Sequence, residues 1–148
     1  MRSDSDMKKS IVWLTAGLVV GYLVYSTLPP LFEEKLDPKS AERLRKIAAE
    51  LNRSVPVMID KETELSAVEG HEAMLIYKYR LVPYSVTQMD HTRFAAAVRQ
   101  KVSQGACNRA ETRDDFLKRG VTLRYSYFDK DKVHIATVDV TPADCGFQ

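Results

Sequence analysis

The sequence predicts an α+β fold: an N-terminal transmembrane helix followed by one small domain, an antiparallel sheet of two hairpins with helices on one face. Three observations predict it. Two pairs of β-rich runs are each joined by a short turn, which makes antiparallel neighbours. Helical periodicity fills the segments before and between those pairs, and helices in that number cover one face of a sheet. One stretch near the start, Ile11 to Leu28, carries no charged side chain.

That stretch sets where the rest works. At about 1.5 Å per helical residue it covers roughly 27 Å, close to the hydrocarbon thickness of a bilayer. Arg2, Lys8 and Lys9 precede it, and the first charges after it are Glu33 and Glu34. Lys and Arg stay on the cytoplasmic side, so the N-terminus reads as inside and the remainder as outside. In a bacterium this is a single-pass inner-membrane protein: a cytoplasmic tail at 1–10, a span at 11–28, a connector at 29–36 and a periplasmic domain at 37–148. A cleaved signal peptide is the competing reading, with Val24-Tyr25-Ser26 as an imperfect cleavage site. The long apolar run, with Tyr22 and Tyr25 near its outer end, favours an uncleaved anchor. A buried core helix fits poorly, because the run is apolar on every face and Pro29-Pro30 ends it. Gly17 and Gly21 stand at GxxxG spacing, which lets a second helix approach closely. They are the candidate helix–helix contact for a homo-oligomer.

The domain's elements follow in order. Asp37 caps and Pro38 opens a helix to about Asn52, with Ala41, Leu44, Ile47, Ala48 and Leu51 on one face. Val57 to Ala67 and Ala73 to Val82 form the first hairpin. A three-residue loop, Glu69-Gly70-His71 with Gly70 at positive φ, sets Leu65 against Leu75, Thr63 against Tyr77 and Ile59 against Leu81. Asp90 caps a helix from His91 to about Gln104 with Phe94, Ala97, Val98 and Val102 inward, and Gly105 ends it. Asn108 opens a shorter helix through Phe116 and Leu117, closed by Gly120. Val121 to Phe128 and Val133 to Val140 then pair around Asp129-Lys130-Asp131-Lys132. This sets Tyr127 by His134, Tyr125 by Ala136, Leu123 by Val138 and Val121 by Val140.

Composition excludes some functions and leaves others open. Lys and Arg number 22 against 20 Asp and Glu, a net of +2, without the basic excess of a nucleic-acid surface. Cys107 and Cys145 are the only cysteines. In an oxidising compartment they read as one disulfide closing a loop of about 38 residues; two unrelated thiols is the other reading. No CxxC or HxxxH spacing supports zinc, and His71, His91 and His134 are scattered, so neither metal nor cofactor is expected. Asp60, Glu62 and Glu64 alternate and would share a strand face, where a solvated outer surface explains them more simply than acid catalysis or calcium. His134 has no accompanying nucleophile. Arg109, Arg113, Lys118, Arg119 and Arg124 form a basic cluster diluted by Asp114 and Asp115. Among the tyrosines, Tyr77, Tyr79, Tyr125 and Tyr127 are the candidate partner surface, since a phenol combines apolar area with a polar tip. No catalytic residue is assigned.

Four segments together carry a resemblance: Pro56-Val57-Met58-Ile59-Asp60-Lys61-Glu62-Thr63-Glu64-Leu65, Tyr77-Lys78-Tyr79-Arg80-Leu81, Cys107, and Gly120-Val121-Thr122-Leu123-Arg124-Tyr125-Ser126-Tyr127. From about Pro56 to Cys145 the chain resembles a family of small exported bacterial proteins of unassigned activity. The resemblance implies an exported, disulfide-bearing domain and carries over no catalytic residue. More loosely, the layout is similar to pilotin-type periplasmic assembly factors. The expected function is therefore a non-enzymatic, membrane-anchored protein-binding domain, an accessory or assembly factor of an envelope machine such as a secretion or pilus system. The alternatives are an inhibitor or immunity-type protein at the periplasmic face, and an enzyme built on Glu62, Glu64 and His134.

Overall fold

A computed structural model describes residues 36–148. The span at Ile11–Leu28 and the Gly17 and Gly21 contact lie outside the described residues, among which no helix is long and apolar enough to cross a membrane.

Helix α1, Ala41–Leu51, begins later than Asp37-Pro38 suggests. Ser40 is the cap, its Oγ accepting the Arg43 N–H at 3.3 Å, while Asp37 accepts the Lys39 N–H at 2.9 Å in the turn before. Leu44 and Ala48 are buried against the sheet. Asn52 caps the far end and locks the helix to a strand. Its side-chain amide donates to the Val68 carbonyl and its oxygen accepts the Val68 N–H, both at 2.8 Å.

Five strands make one sheet in sequence order: β1 (Val57–Met58), β2 (Thr63–His71), β3 (Met74–Leu81), β4 (Thr122–Phe128) and β5 (His134–Val140). The sheet is not wholly antiparallel. The two hairpins meet through a parallel β3–β4 pair, because the intervening helices return the chain to the end where β3 began.

Both hairpins depart from the expected register. In the first, the strands continue through His71 opposite Met74, and the turn is Glu72-Ala73 with Ala73 at φ 54°. Leu65 faces Tyr79 and Thr63 faces Leu81, with a bulge between Leu65 and Ala67 that keeps Leu65 and Val68 on one face. Gly70 is not the turn residue: a Cβ there would lie 2.2 Å from the Leu44 backbone, so it is the bare spot on which α1 rests. The long first strand expected from Val57 folds back on itself. Val57 pairs with Leu65 around a turn in which Asp60 accepts the N–H groups of Glu62 and Thr63, both at 2.8 Å. Ile59 thus leaves the ladder with β3.

In the second hairpin Leu123 faces Val140, Tyr125 faces Val138 and Tyr127 faces Ala136, two residues from the expected pairing but on the same faces. A bulge next to Phe128 and a wider turn account for the shift. Asp129 accepts the Asp131 and Val133 N–H groups, each at 2.8 Å, and Lys132 takes φ 65°.

Helix α2, His91–Asn108, starts at its expected cap, Asp90, which accepts the Arg93 N–H at 3.0 Å. It runs on through Gly105 instead of stopping there: Gly105 takes no left-handed φ, and the chain leaves the helix only at Arg109. Ala97 is exposed and Ala95 takes the inward place beside Phe94, Val98 and Val102. Helix α3, Ala110–Asp115, and a 3-10 turn at Leu117–Arg119 lead to Gly120, whose φ of 82° closes the segment as expected. The fully buried Leu44, Val68, Leu75, Leu117, Leu123 and Val140 make the core between helices and sheet. The outer face is polar: Arg80 pairs with Glu64 at 3.0 Å and Arg124 with Asp139 at 2.8 Å.

Candidate functional site

On the helix-bearing face the parallel pairing brings four tyrosines together. Tyr77 lies opposite Tyr125 and Tyr79 opposite Tyr127. Their rings stand almost parallel: centroids are 5.5 Å apart for Tyr77–Tyr125, 5.2 Å for Tyr79–Tyr127 and 6.3 Å for Tyr79–Tyr125. Phe94 of α2 meets Tyr127 edge-on at 5.4 Å.

These rings floor an open groove of about 1020 Å³. One wall is α2, through Val98, Lys101, Gly105 and Arg109; the other is the turn Ile59–Glu62; Tyr84 and Met89 lie at its margin. Gly105 leaves the helix wall bare where a side chain would intrude. None of the four phenol hydroxyls has a hydrogen-bond partner among the described residues, and none is sealed from solvent. Burial pushes Tyr77 and Tyr79 up to about 12, with neighbouring Tyr79 adding to the first and Arg109 opposing in the second. Burial and the adjoining phenols raise Tyr125 and Tyr127 too. The floor is therefore neutral near pH 7, apolar in its rings and able to donate hydrogen bonds at its tips. It does not lie on an exposed sheet face; it is the base of a cleft.

The carboxylates expected on one strand face are split. Asp60 and Glu62 sit in the turn that walls the groove, where Glu62 accepts the Tyr84 hydroxyl at 2.9 Å, while Glu64 is on the outer face, held down by Arg80. His134 is beside Thr137 at 2.9 Å and its ring meets Phe128 at 5.7 Å, so it joins neither group. Of the basic cluster, Arg124 faces outward with Asp139, Arg113 and Lys118 share Asp114, and Arg109 alone lines the groove. Among the described residues no group of His, Cys, Asp and Glu is placed to hold a metal ion. Cys107 and Cys145 sit at disulfide distance, Cα to Cα 5.4 Å, tying the last turn of the α2 wall to the C-terminal 3-10 turn at Pro142–Cys145.

Sequence reasoning missed Lys101, Ile59 and Gly105 as groove residues. Their signal is indirect: α2 contains no acidic side chain, and a glycine persists inside it.

No family model and no curated protein matches the sequence. Solved structures do match in fold. A secreted-type protein of Pseudomonas aeruginosa is 22% identical with a TM-score of 0.62, over 74% of this chain and 95% of that one. The type 2 secretion pilotin EpsS of Vibrio vulnificus is 16% identical with a TM-score of 0.60, over 73% and 93%. The type II secretion pilotin AspS of Vibrio cholerae is 13% identical with a TM-score of 0.56, over 71% and 91%. At these identities the likeness is one of fold: the described domain shares its architecture with these three structures.

Proposed function

We propose that the chain is a non-enzymatic accessory factor of an envelope machine such as a secretion or pilus system. It is anchored in the inner membrane, and its periplasmic domain holds a helical segment of a protein partner in the tyrosine-floored groove. The carrying observation is the floor itself: four half-buried to buried phenols whose hydroxyls no described residue uses. Aromatic rings with polar tips are the side chains that dominate protein contacts. The fold shared with two type II secretion pilotins supports the same reading.

A helix suits this groove better than a strand. Its floor strands β3 and β4 are paired on both edges, so an extended segment lying on the rings would find no backbone partners. A helix satisfies its own backbone and needs only a groove for its apolar stripe. The α2 wall from Phe94 to Arg109 is roughly 22 Å long at about 1.5 Å per residue, room for about four turns.

The test is photocrosslinking in intact cells from the full-length protein, with the reactive side chain at Val98 on the wall or at Thr122 on the outer face. A partner band is expected from Val98 and not from Thr122. Tyrosine-to-alanine changes risk unfolding the domain, so the competing variants are Ile59→Asp, at a position 55% exposed, and Tyr79→Phe, which keeps the ring. Both are expected to weaken the Val98 band. Equal bands from the two faces, or a Val98 band indifferent to Ile59→Asp, would sink the reading.

A further inference from the structure

We infer that the groove selects an acidic amphipathic helix, with its apolar stripe on the tyrosine floor and a row of carboxylates along the flank that meets α2. The inference rests on the groove-binding reading above and adds the chemistry of the occupant.

The α2 wall is cationic and carries no carboxylate of its own. His91–Asn108 contains Arg93, Arg99 and Lys101 and no Asp or Glu, and Arg109 follows directly. Some cations away from the groove do pair, among them Arg80 with Glu64 at 3.0 Å, Arg124 with Asp139 at 2.8 Å and Arg113 with Asp114 at 2.9 Å. Lys101 and Arg109 line the groove from the α2 side and Lys61 from the turn, and none of the three makes an ion pair among the described residues. The carbonyl end of α2 favours a cation at Arg109, but Lys101 is mid-helix and gains nothing from it.

On the facing wall Asp60 feels the charge of Lys101 but forms no ion pair with it. Asp60 is engaged by the backbone of its own turn at 2.8 Å, and Glu62 accepts the Tyr84 hydroxyl at 2.9 Å. The two carboxylates instead bias the occupant's orientation. With Lys61 between them the turn keeps a net negative charge, whereas the α2 side carries only cations, so α2 is the side where acid is favourable.

Spacing makes the inference specific. Lys101 and Arg109 are about 12 Å apart along the helix axis at about 1.5 Å per residue. A helix lying alongside meets both with carboxylates at i and i+7, which fall on one of its faces about 10 Å apart.

The probe is a pair of labelled peptides of about 18 residues with one leucine stripe, carrying Glu or Lys at i and i+7. They are titrated by anisotropy against the full-length protein in zwitterionic nanodiscs, with empty nanodiscs subtracted. The Glu peptide is expected to bind about tenfold more tightly than the Lys peptide, with the gap narrowing as salt rises. Lys101→Glu with Arg109→Glu is expected to reverse the order. Both sites are exposed, so the double variant should stay folded, its unfolding midpoint lowered only slightly by the loss of a cation from the carbonyl end of α2. If both peptides bind alike and Ile59→Asp weakens both, groove binding stands and charge selection is overturned. If peptide binding ignores Ile59→Asp and Tyr79→Phe, the groove reading falls and the selection with it.

Discussion

Gly70 shows how much one missing side chain positions. Added there, a Cβ would meet the Leu44 carbonyl carbon and oxygen at 2.2 Å and the Arg45 nitrogen at 2.4 Å, all backbone, so no rotamer change relieves the clash. Helix α1 would have to lift off β2, breaking the paired Asn52–Val68 hydrogen bonds at 2.8 Å. Gly70→Ala is therefore expected to cost about 3 kcal/mol, the upper range for overpacking, read as a fall in the urea midpoint with unchanged slope. Sequence reasoning put this glycine in a turn, because glycine after Glu69 between two β-rich runs carries the same local signal in either role. Asp129 was legible only as a turn residue. That it is 1% exposed, and accepts from Val86 at 2.9 Å across 43 residues, depends on a contact that no local pattern encodes.

Among the elements, α2 carries the most, since it walls the groove, brings Lys101 into it and places Arg109 at its end. Its start was legible because Asp90 is a local cap; its end was not, because Gly105 permits a helix to continue as readily as to stop. What holds its last turn is the Cys107–Cys145 bridge across 38 residues. Replacing both cysteines by alanine is expected to cost about 3 to 4 kcal/mol by the chain-entropy estimate. Hydrogen exchange should rise first at Ala106–Arg109 and Pro142–Cys145, with β2 and β3 unchanged; uniform loss of protection would mean that the bridge acts on the whole domain. The hairpins teach a related lesson. Alternation put the tyrosines of each hairpin on one side of it, and that survived register shifts of four residues in the first hairpin and two in the second, because an even shift preserves the side of the sheet.

At the scale of the whole molecule, the tyrosine floor makes stability depend on alkaline pH. Tyr77 and Tyr79 titrate at about 12 in the folded domain, against about 10 in an unfolded chain. A folded value above the unfolded one means the stabilisation is complete below about pH 10 and lost as pH climbs through about 12. Phenolate absorbance is expected to rise in two phases, the exposed tyrosines first and the floor only as the domain unfolds. A single phase near pH 10 with the fold intact would show that burial does not raise the titration of the floor tyrosines. Tyr79→Phe should move the alkaline midpoint of unfolding upward, because one group that must ionise in its buried place is gone.

The sequence by itself determined the α+β class, the single cysteine pair, the cap of α2, the Gly120 stop and, within each hairpin, the shared side of its tyrosines. Each follows from local spacing, charge or turn chemistry acting over a few residues. Tertiary structure alone decided that β3 and β4 run parallel, that the tyrosines of two separate hairpins therefore stack side by side, and that α2 leaves them uncovered. Those outcomes depend on how distant segments pack, and strand alternation is the same whether a neighbour runs parallel or antiparallel. The pairing that turns two striped hairpins into one groove is written in contacts between residues more than 40 positions apart, such as Tyr77 with Tyr125.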